Sequence, residues 1–357
     1  MPLTDAELDR MVRDFGEILA TGTPQGFLAP EFVVDLSRSN RPDAGVYLGV
    51  DSALALYESM REALLDLRWQ GRVVDRPTHD LVVLESGLSG RGRTSGIESE
   101  GKGASIWKLR DGKLAETILF QSLDDARAHL HRLELAKRVA DARLYFVCEA
   151  RPNGGDPRPI LDAAIRGGAA IVQLRDKQLG DEELVEAARP FREAADAGDA
   201  LFILNDRPDL VAACEADGVH VGQDDVPVAA ARRAAGEAAL VGLSTHRFAE
   251  IEDAKSAMGI ARPDQISVGP VWETPTKEGR PGTGLGLIEF AAAEATVPWF
   301  AIGGVAAETV GEVVEAGASR AVVVRAIRDA DDPETAARQI TDALGGTRRD
   351  TSGRADG

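Results

Sequence analysis

The chain has 357 residues, 44% of them hydrophobic and 28% charged, a balance that fits a soluble globular protein of two domains. Its formal net charge of −18 argues against a nucleic-acid partner, and no apolar run approaches the roughly 20 residues that span a bilayer. Such a surface repels an anionic substrate on average, so any phosphate site must carry its own cations or a metal.

The opening residues, MPLTDAELDRM, lack the basic and apolar regions of a signal peptide. Cys148 and Cys214 are the only cysteines, which makes a disulfide framework or a zinc site a poor expectation and the cytoplasm the expected compartment. Residues 1 to about 120 mix two amphipathic helical patterns, 5–19 and 52–67, with strand patterns at 32–36, 69–74, 81–86, 104–109 and 114–121. Asp111-Gly112 is a two-residue hairpin signal between the last two. Helices followed by a hairpin-rich run predict an α+β domain. Asp35 ends a strand pattern and is read as a cap or turn residue. Residues 124–139 read as a charged helix closing this domain.

From residue 144 the pattern becomes regular. Continuous apolar runs fall at 144–148, 171–174, 201–204, 218–221, 240–243, 265–268, 299–302 and 321–324, with helical segments such as 181–196 and 306–315 between most of them. Short runs without alternation mark strands buried on both faces, and this alternation with helices predicts a (β/α)8 barrel. An open doubly wound sheet ranks lower, because no G-x-G-x-x-G follows the first run. The expected division is an α+β domain over 1–128, a linker helix over 129–140, a barrel over 141–345 and a disordered tail over 346–357.

In such barrels chemistry sits where the strands end. Residues 201–225, LFILNDRPDLVAACEADGVHVGQDD, place Asn205-Asp206 after the third run and Asp225 after the fourth. Side by side at one rim, Asp206 and Asp225 make a site for a hard divalent cation, Mg²⁺. Either Asp alone also reads as a helix N-cap, and Asp224 is a rival for the second position. Strand alternation from Gln173 puts Arg175 and Lys177 on the same side, toward the barrel mouth, a fork and a point charge suited to a diphosphate. The fifth run leads into Ser244-Thr245-His246, where a hydroxyl can bond a phosphate oxygen. The sixth leads into Gly269-Pro270-Val271-Trp272-Glu273-Thr274-Pro275-Thr276-Lys277, a loop with two threonines and a lysine to grip phosphate. Gly303-Gly304 and Val324-Arg325 follow the last two runs, where many barrels build a phosphate pocket. No ordering of Asp, His and Ser suggests a nucleophilic triad.

The set Gln173-Leu174-Arg175-Asp176-Lys177, Asn205-Asp206, the Gly218-to-Asp225 stretch GVHVGQDD, Gly242-to-His246, Gly269-to-Lys277 and Ala301-to-Val305 resembles the thiamine-phosphate synthase family, over about residues 141–345. The resemblance implies a transferase that joins 4-amino-2-methyl-5-pyrimidinylmethyl diphosphate to 4-methyl-5-(2-phosphoethyl)thiazole and releases pyrophosphate. It implies Mg²⁺ on Asp206 and Asp225. It gives the pyrimidine diphosphate to Gln173, Arg175, Lys177, Asn205, Ser244 and Lys277, with Lys177, Ser244 and Lys277 nearest the chemistry. Thr274, Thr276, Gly304, Val324 and Arg325 hold the thiazole phosphate. Where the family has a small hydroxyl residue after the eighth strand, this chain has Arg325, which is expected to add a cation to that pocket. A thiazole tautomerase-like enzyme and a non-catalytic sensor of thiamine precursors are the alternatives.

Residues 1–128 resemble the SnoaL-like branch of the NTF2-like family, through the stretches at 27–35, 47–49, 90–96 and 107–113. That resemblance implies a curved sheet around a conical pocket, acting as a ligand-binding or dimer-forming accessory. Phosphorylated small molecules are the expected partners, with no nucleic acid and no membrane, and a homo-oligomer formed through the first domain is possible on this reading.

Overall fold

The computed structural model describes residues 3–23, 26–39, 41–273 and 281–345. It divides into two compact units, Met1–Leu130 with Met258–Ile260, and His131–Ala257 with Ala261–Gly357. Among the described residues no helix is long and apolar enough to cross a membrane.

The first unit runs α1 (Asp5–Thr21), β1 (Leu28–Asp35), β2 (Val46–Leu48), α2 (Gly49–Ala63), β3 (Leu64–Thr78), β4 (Leu81–Gly92), β5 (Glu98–Arg110) and β6 (Lys113–Phe120), and then enters α3 (Leu123–Asp141). The order T-D-A-E starts α1 with a capping box: the Glu7 N–H donates to Thr4 Oγ1 at 3.3 Å and the Thr4 N–H to Glu7 Oε2 at 2.8 Å. The helix buries Leu8, Met11, Val12, Phe15, Ile18 and Leu19, one face at helical spacing. The six strands form one sheet in the order β2-β1-β6-β5-β4-β3. One sheet face, with Phe32, Val34, Leu84 and Trp107, packs with α1 and α2 into a first core. The other, with Val83, Ala104, Ile106 and Ile118, packs on Ala126 of α3.

Here the structure corrects two expectations. The helix read over 52–67 ends at Ala63, because Leu64 opens β3 and pairs with Gly92. The strands read at 69–74, 81–86 and 104–109 are the middle of β3, the first half of β4 and the second half of β5. The remaining halves of β4 and β5 are polar or glycine-rich and carry no apolar alternation for a sequence reading to catch. The Asp111-Gly112 hairpin is present, with positive φ at both residues.

The second unit alternates strand and helix as expected: β7 (Leu144–Cys148), α4 (Arg158–Arg166), β8 (Ala169–Leu174), α5 (Asp181–Ala197), β9 (Leu201–Asn205), β10 (Gly218–Val221), α6 (Val228–Ala235), β11 (Leu240–Thr245), α7 (Phe248–Ser256), β12 (Gln265–Val268), α8 (Gly286–Glu294), β13 (Trp299–Ile302), α9 (Val310–Glu315), β14 (Ala321–Val323), α10 (Arg325–Arg328) and α11 (Pro333–Gly345). Strands β7 to β14 pair in sequence order, all parallel, and close into a barrel. Period two sorts the side chains. Phe146, Val172, Leu174, Phe202, Leu204, Val268 and Val323 pack outward against the helices. Tyr145, Val147, Ile171, Ile203, Leu240, Phe300 and Val322 fill the interior. Each side chain buried this way stabilises the fold by about 1.5–3 kcal/mol.

Candidate active site

The inward parity that fills the barrel with Ile171, Ile203 and Leu240 turns polar toward the strands' C-terminal ends. Gln173, Asn205, His220, Ser244 and Ser267 take the last inward positions of β8 to β12 and face a cavity of about 350 Å³. A run of inward aliphatic residues ending in polar ones places hydrogen-bonding groups only where a ligand enters.

The floor is a buried polar network. The Gln173 amide donates to the Tyr145 hydroxyl at 2.5 Å. Burial, relieved in part by the hydrogen bond from Gln173, pushes the Tyr145 phenol far above its ordinary range, so it stays protonated. His220 Nε2 lies 3.1 Å from Ser244 Oγ and 3.4 Å from Ser267 Oγ. Gln223 donates its side-chain amide to the Ser244 carbonyl at 2.7 Å, tying the loop after β10 to β11. His246 also lines the cavity; its Nδ1 meets the Gly269 carbonyl oxygen and its N–H donates to Glu250 at 2.6 Å.

The cavity brings together Gln173, Arg175, Asn205, Ser244, Gly304, Val324 and Arg325 among the residues expected from sequence. Lys177, Asp206 and Asp225 are not in its wall. β8 ends at Leu174, so strand alternation no longer governs position 177. Lys177 is 58% exposed, and its Nζ sits 2.9 Å from Asp206 Oδ2. Asp206 directly follows β9, turns the chain with φ of 62°, and donates its N–H to the His220 carbonyl at 2.9 Å. Asp225 folds back on the end of β10, where its Oδ2 accepts the Gly222 N–H at 2.8 Å. Since β9 and β10 are neighbours, with Asn205 beside His220, both carboxylates belong to adjacent strand ends. Thr274, Thr276 and Lys277 lie outside the described residues.

Opposite β8 and β9, the wall is the Gly303-Gly304 turn. Both glycines have positive φ, 99° and 75°. A Cβ on Gly304 would meet the Trp272 side chain at 3.1 Å, so the turn and the neighbouring loop both require glycine there. Val324 and Arg325 follow β14 and complete this wall. Ser244, read at the end of the fifth strand, is in β11 and 5% exposed. Tyr145, His220 and Ser267 were missed from sequence. Each sits inside an apolar run, and only the barrel's parity shows that it turns inward. Neither cysteine supplies a nucleophile, since burial pushes the Cys148 thiol up to about 12 and the Cys214 thiol up to about 11.

A closed parallel barrel with a polar cavity at the C-terminal ends of its strands is the architecture of a barrel enzyme. The family model for thiamine monophosphate synthase matches residues 144–327, and the chain belongs to that family. It is 47% identical over 208 residues to the thiamine-phosphate synthase of Streptomyces avermitilis, covering 58% of this chain and 95% of that protein. It is 44% identical over 207 residues to the one from Acidothermus cellulolyticus, covering 58% and 96%. A solved thiamine phosphate pyrophosphorylase from Pyrococcus furiosus superposes with a TM-score of 0.52 at 25% identity, over 58% of this chain and 98% of that one.

Proposed function

We infer that the barrel joins 4-amino-2-methyl-5-pyrimidinylmethyl diphosphate to 4-methyl-5-(2-phosphoethyl)thiazole, giving thiamine phosphate and pyrophosphate. The observation that carries this reading is the single cavity shared by Gln173, Arg175, Asn205, Ser244, Gly304 and Arg325, in a chain of this family. The C–O bond between the pyrimidine methylene and the diphosphate breaks, and its electron pair leaves with pyrophosphate. The thiazole nitrogen then forms the new C–N bond with its lone pair. No side-chain nucleophile is needed, which agrees with two buried, fully protonated thiols.

In this reading Arg175 offers its fork to the diphosphate, and the amides of Gln173 and Asn205 orient it. Lys177, beside Asp206, adds positive charge at the rim where the leaving group gathers negative charge. Ser244, held against His220, presents its hydroxyl to the same substrate. Lys277 completes that grip, and Thr274 and Thr276 join Gly304, Val324 and Arg325 on the thiazole phosphate. Holding the thiazole nitrogen in line lets it capture the cationic pyrimidine before water does.

The donor set suits Mg²⁺. Among the described residues no group of three or more His, Cys, Asp or Glu forms a metal cage. Mg²⁺ binds through one or two carboxylates plus substrate phosphates rather than in an all-protein cage, and Asp206 with Asp225 offers that pair. When bound, the ion supplies charge against the developing pyrophosphate.

The first unit is read as SnoaL-like, a binding accessory rather than a second enzyme. Support comes from its six-stranded sheet, the two helices packed on it and the fate of Asp35. That carboxylate accepts from the Ser37 N–H at 2.8 Å and pairs with Arg38 at 2.7 Å, so it is not free to act as a base.

The test mixes the purified chain with both substrates and Mg²⁺ and follows pyrophosphate. Release that needs both substrates, stops with a chelator and falls at least a hundredfold in Asp206→Asn supports the reading. Tautomerisation of the thiazole without pyrophosphate, or binding without turnover, would replace it with one of the two alternatives.

A further inference from the structure

Among the polar residues at the head of the barrel, His220 is the one whose seat is built by its neighbours. It lies in β10 between β9 and β11, is 8% exposed, and accepts the Asp206 N–H on its backbone carbonyl at 2.9 Å. It stands level with Gly242 of β11, which stands level with Gln265 of β12. A Cβ on Gly242 would meet His220 Nδ1 at 2.5 Å and Gln265 Nε2 at 3.0 Å. Gly242 keeps its place in the strand pairing without a positive φ, so glycine serves there for room alone. The imidazole takes the space that any side chain at 242 would need.

That seat aims the ring at two hydroxyls. Nε2 is 3.1 Å from Ser244 Oγ and 3.4 Å from Ser267 Oγ, on the next two strands, and all three residues line one cavity. The Ser244 backbone is already fixed by β11 and by Gln223, whose amide donates to its carbonyl at 2.7 Å. What is left to set is the direction of the hydroxyl proton, and the tautomer of His220 sets it. With Nε2 as acceptor, the Ser244 proton points at the ring and only lone pairs face the cavity. With the hydrogen on Nε2, the ring donates to Ser244 Oγ and the hydroxyl proton turns to the ligand. A diphosphate oxygen accepts and does not donate, so only the second arrangement lets Ser244 serve it.

We propose that His220 is a positioning residue for the barrel reaction: seated over Gly242 as the Nε2–H tautomer, it donates to Ser244 and turns that hydroxyl toward the diphosphate. Its ring acts through Ser244 and not on the substrate. Gly242 belongs to the same device, because a side chain there would push the ring off its line to Ser244. This role rests on the diphosphate reading of the barrel.

The test has one arm without turnover and one with it. In the full chain carrying nitrogen-15-labelled imidazoles, the His220 resonances are identified by their loss in His220→Gln. The expected spectrum shows the hydrogen on Nε2 and none on Nδ1, and both Ser244→Ala and Gly242→Ala shift the Nε2 resonance. Pyrophosphate release then gives a double-mutant cycle. Ser244→Ala and His220→Leu each lower kcat/KM for the pyrimidine diphosphate about tenfold, the loss of one hydrogen bond, and the double variant is no worse than either. Gly242→Ala, which keeps the histidine and displaces its ring, gives the same loss, again absent in a Ser244→Ala background. His220→Gln, which offers an N–H at similar reach, stays within about threefold of the parent, a rescue that a space-filling role would not produce. A hydrogen on Nδ1 instead of Nε2, or losses that multiply in the double variant, would overturn the proposal and leave the reaction standing. A parent chain that releases no pyrophosphate would overturn the reaction reading instead, while the tautomer, read without turnover, still decides how Ser244 is held.

Discussion

Arg325 stands where the resemblance implies a small hydroxyl residue, and its position gives that departure a sign. It is exposed, stands first in α10 and lines the same cavity wall as Gly304. On the proposed reading a guanidinium there meets an anionic phosphate in a protein whose net charge is −18, so local attraction works against the repulsion of the whole surface. Arg325→Ser is expected to raise KM for the thiazole phosphate about tenfold with kcat nearly unchanged, the mark of lost uniform binding. Steady-state kinetics with the thiazole phosphate varied measure this, and a lower KM would mean that Arg325 crowds the pocket. Tyr145 acts differently. It lines the cavity floor and accepts the Gln173 amide, which it positions. Neither Tyr145 nor His220 could be singled out in sequence, where each is one polar letter in an apolar run.

At the scale of elements, the barrel was legible and the first unit less so, for one physical reason. Barrel strands are buried on both faces, so β7 to β14 read as continuous apolar runs and were placed within one or two residues. The sheet of the first unit is half solvated; β3 shows only Leu67 fully buried, and its first residues were read as helix. Site loops were legible through glycine and charge, but alternation misplaced Lys177 because β8 stops at Leu174. Two turns carry predictions. Gly304→Ala puts a Cβ at φ of 75° and 3.1 Å from Trp272, which is expected to cost about 1–3 kcal/mol in urea unfolding and to raise KM for the thiazole phosphate. Glu250, at the start of α7, accepts from the His246 N–H at 2.6 Å and from Arg247 at 2.7 Å. Burial pushes its carboxyl up, but these bonds and charges together hold it below its ordinary value. Its contribution is therefore complete above the unfolded value and is lost as pH falls through the folded one. Glu250→Gln should remove that acid-side loss, so the stability gap between parent and variant, measured by urea at pH 7 and at pH 3, narrows on acidification. A constant gap would show that the charge is not what matters.

The molecule as a whole joins two units with separate cores, and only the second is matched by the family. The first unit's cores draw on α1, α2 and the six-stranded sheet, with Ala126 from the start of α3. The barrel's interior cluster takes Leu135 and Val139 from the end of that helix. A cut inside α3 would strip the barrel of side chains it buries, whereas a cut before it keeps the helix and its start. Ser122 caps that start, accepting the Asp125 N–H at 3.1 Å and donating to the Asp125 carboxylate at 2.7 Å. A fragment of residues 121–357 should therefore fold and release pyrophosphate with kcat/KM within about threefold of the full chain, since every described residue of the candidate site is its own. It should also be more prone to aggregate, because Leu123, Ala126 and Leu130 lose the sheet they pack against. Kinetics on freshly purified fragment, with light scattering to follow aggregation, separate the two effects. A monomeric fragment more than tenfold slower than the full chain would mean that the first unit takes part in the reaction itself.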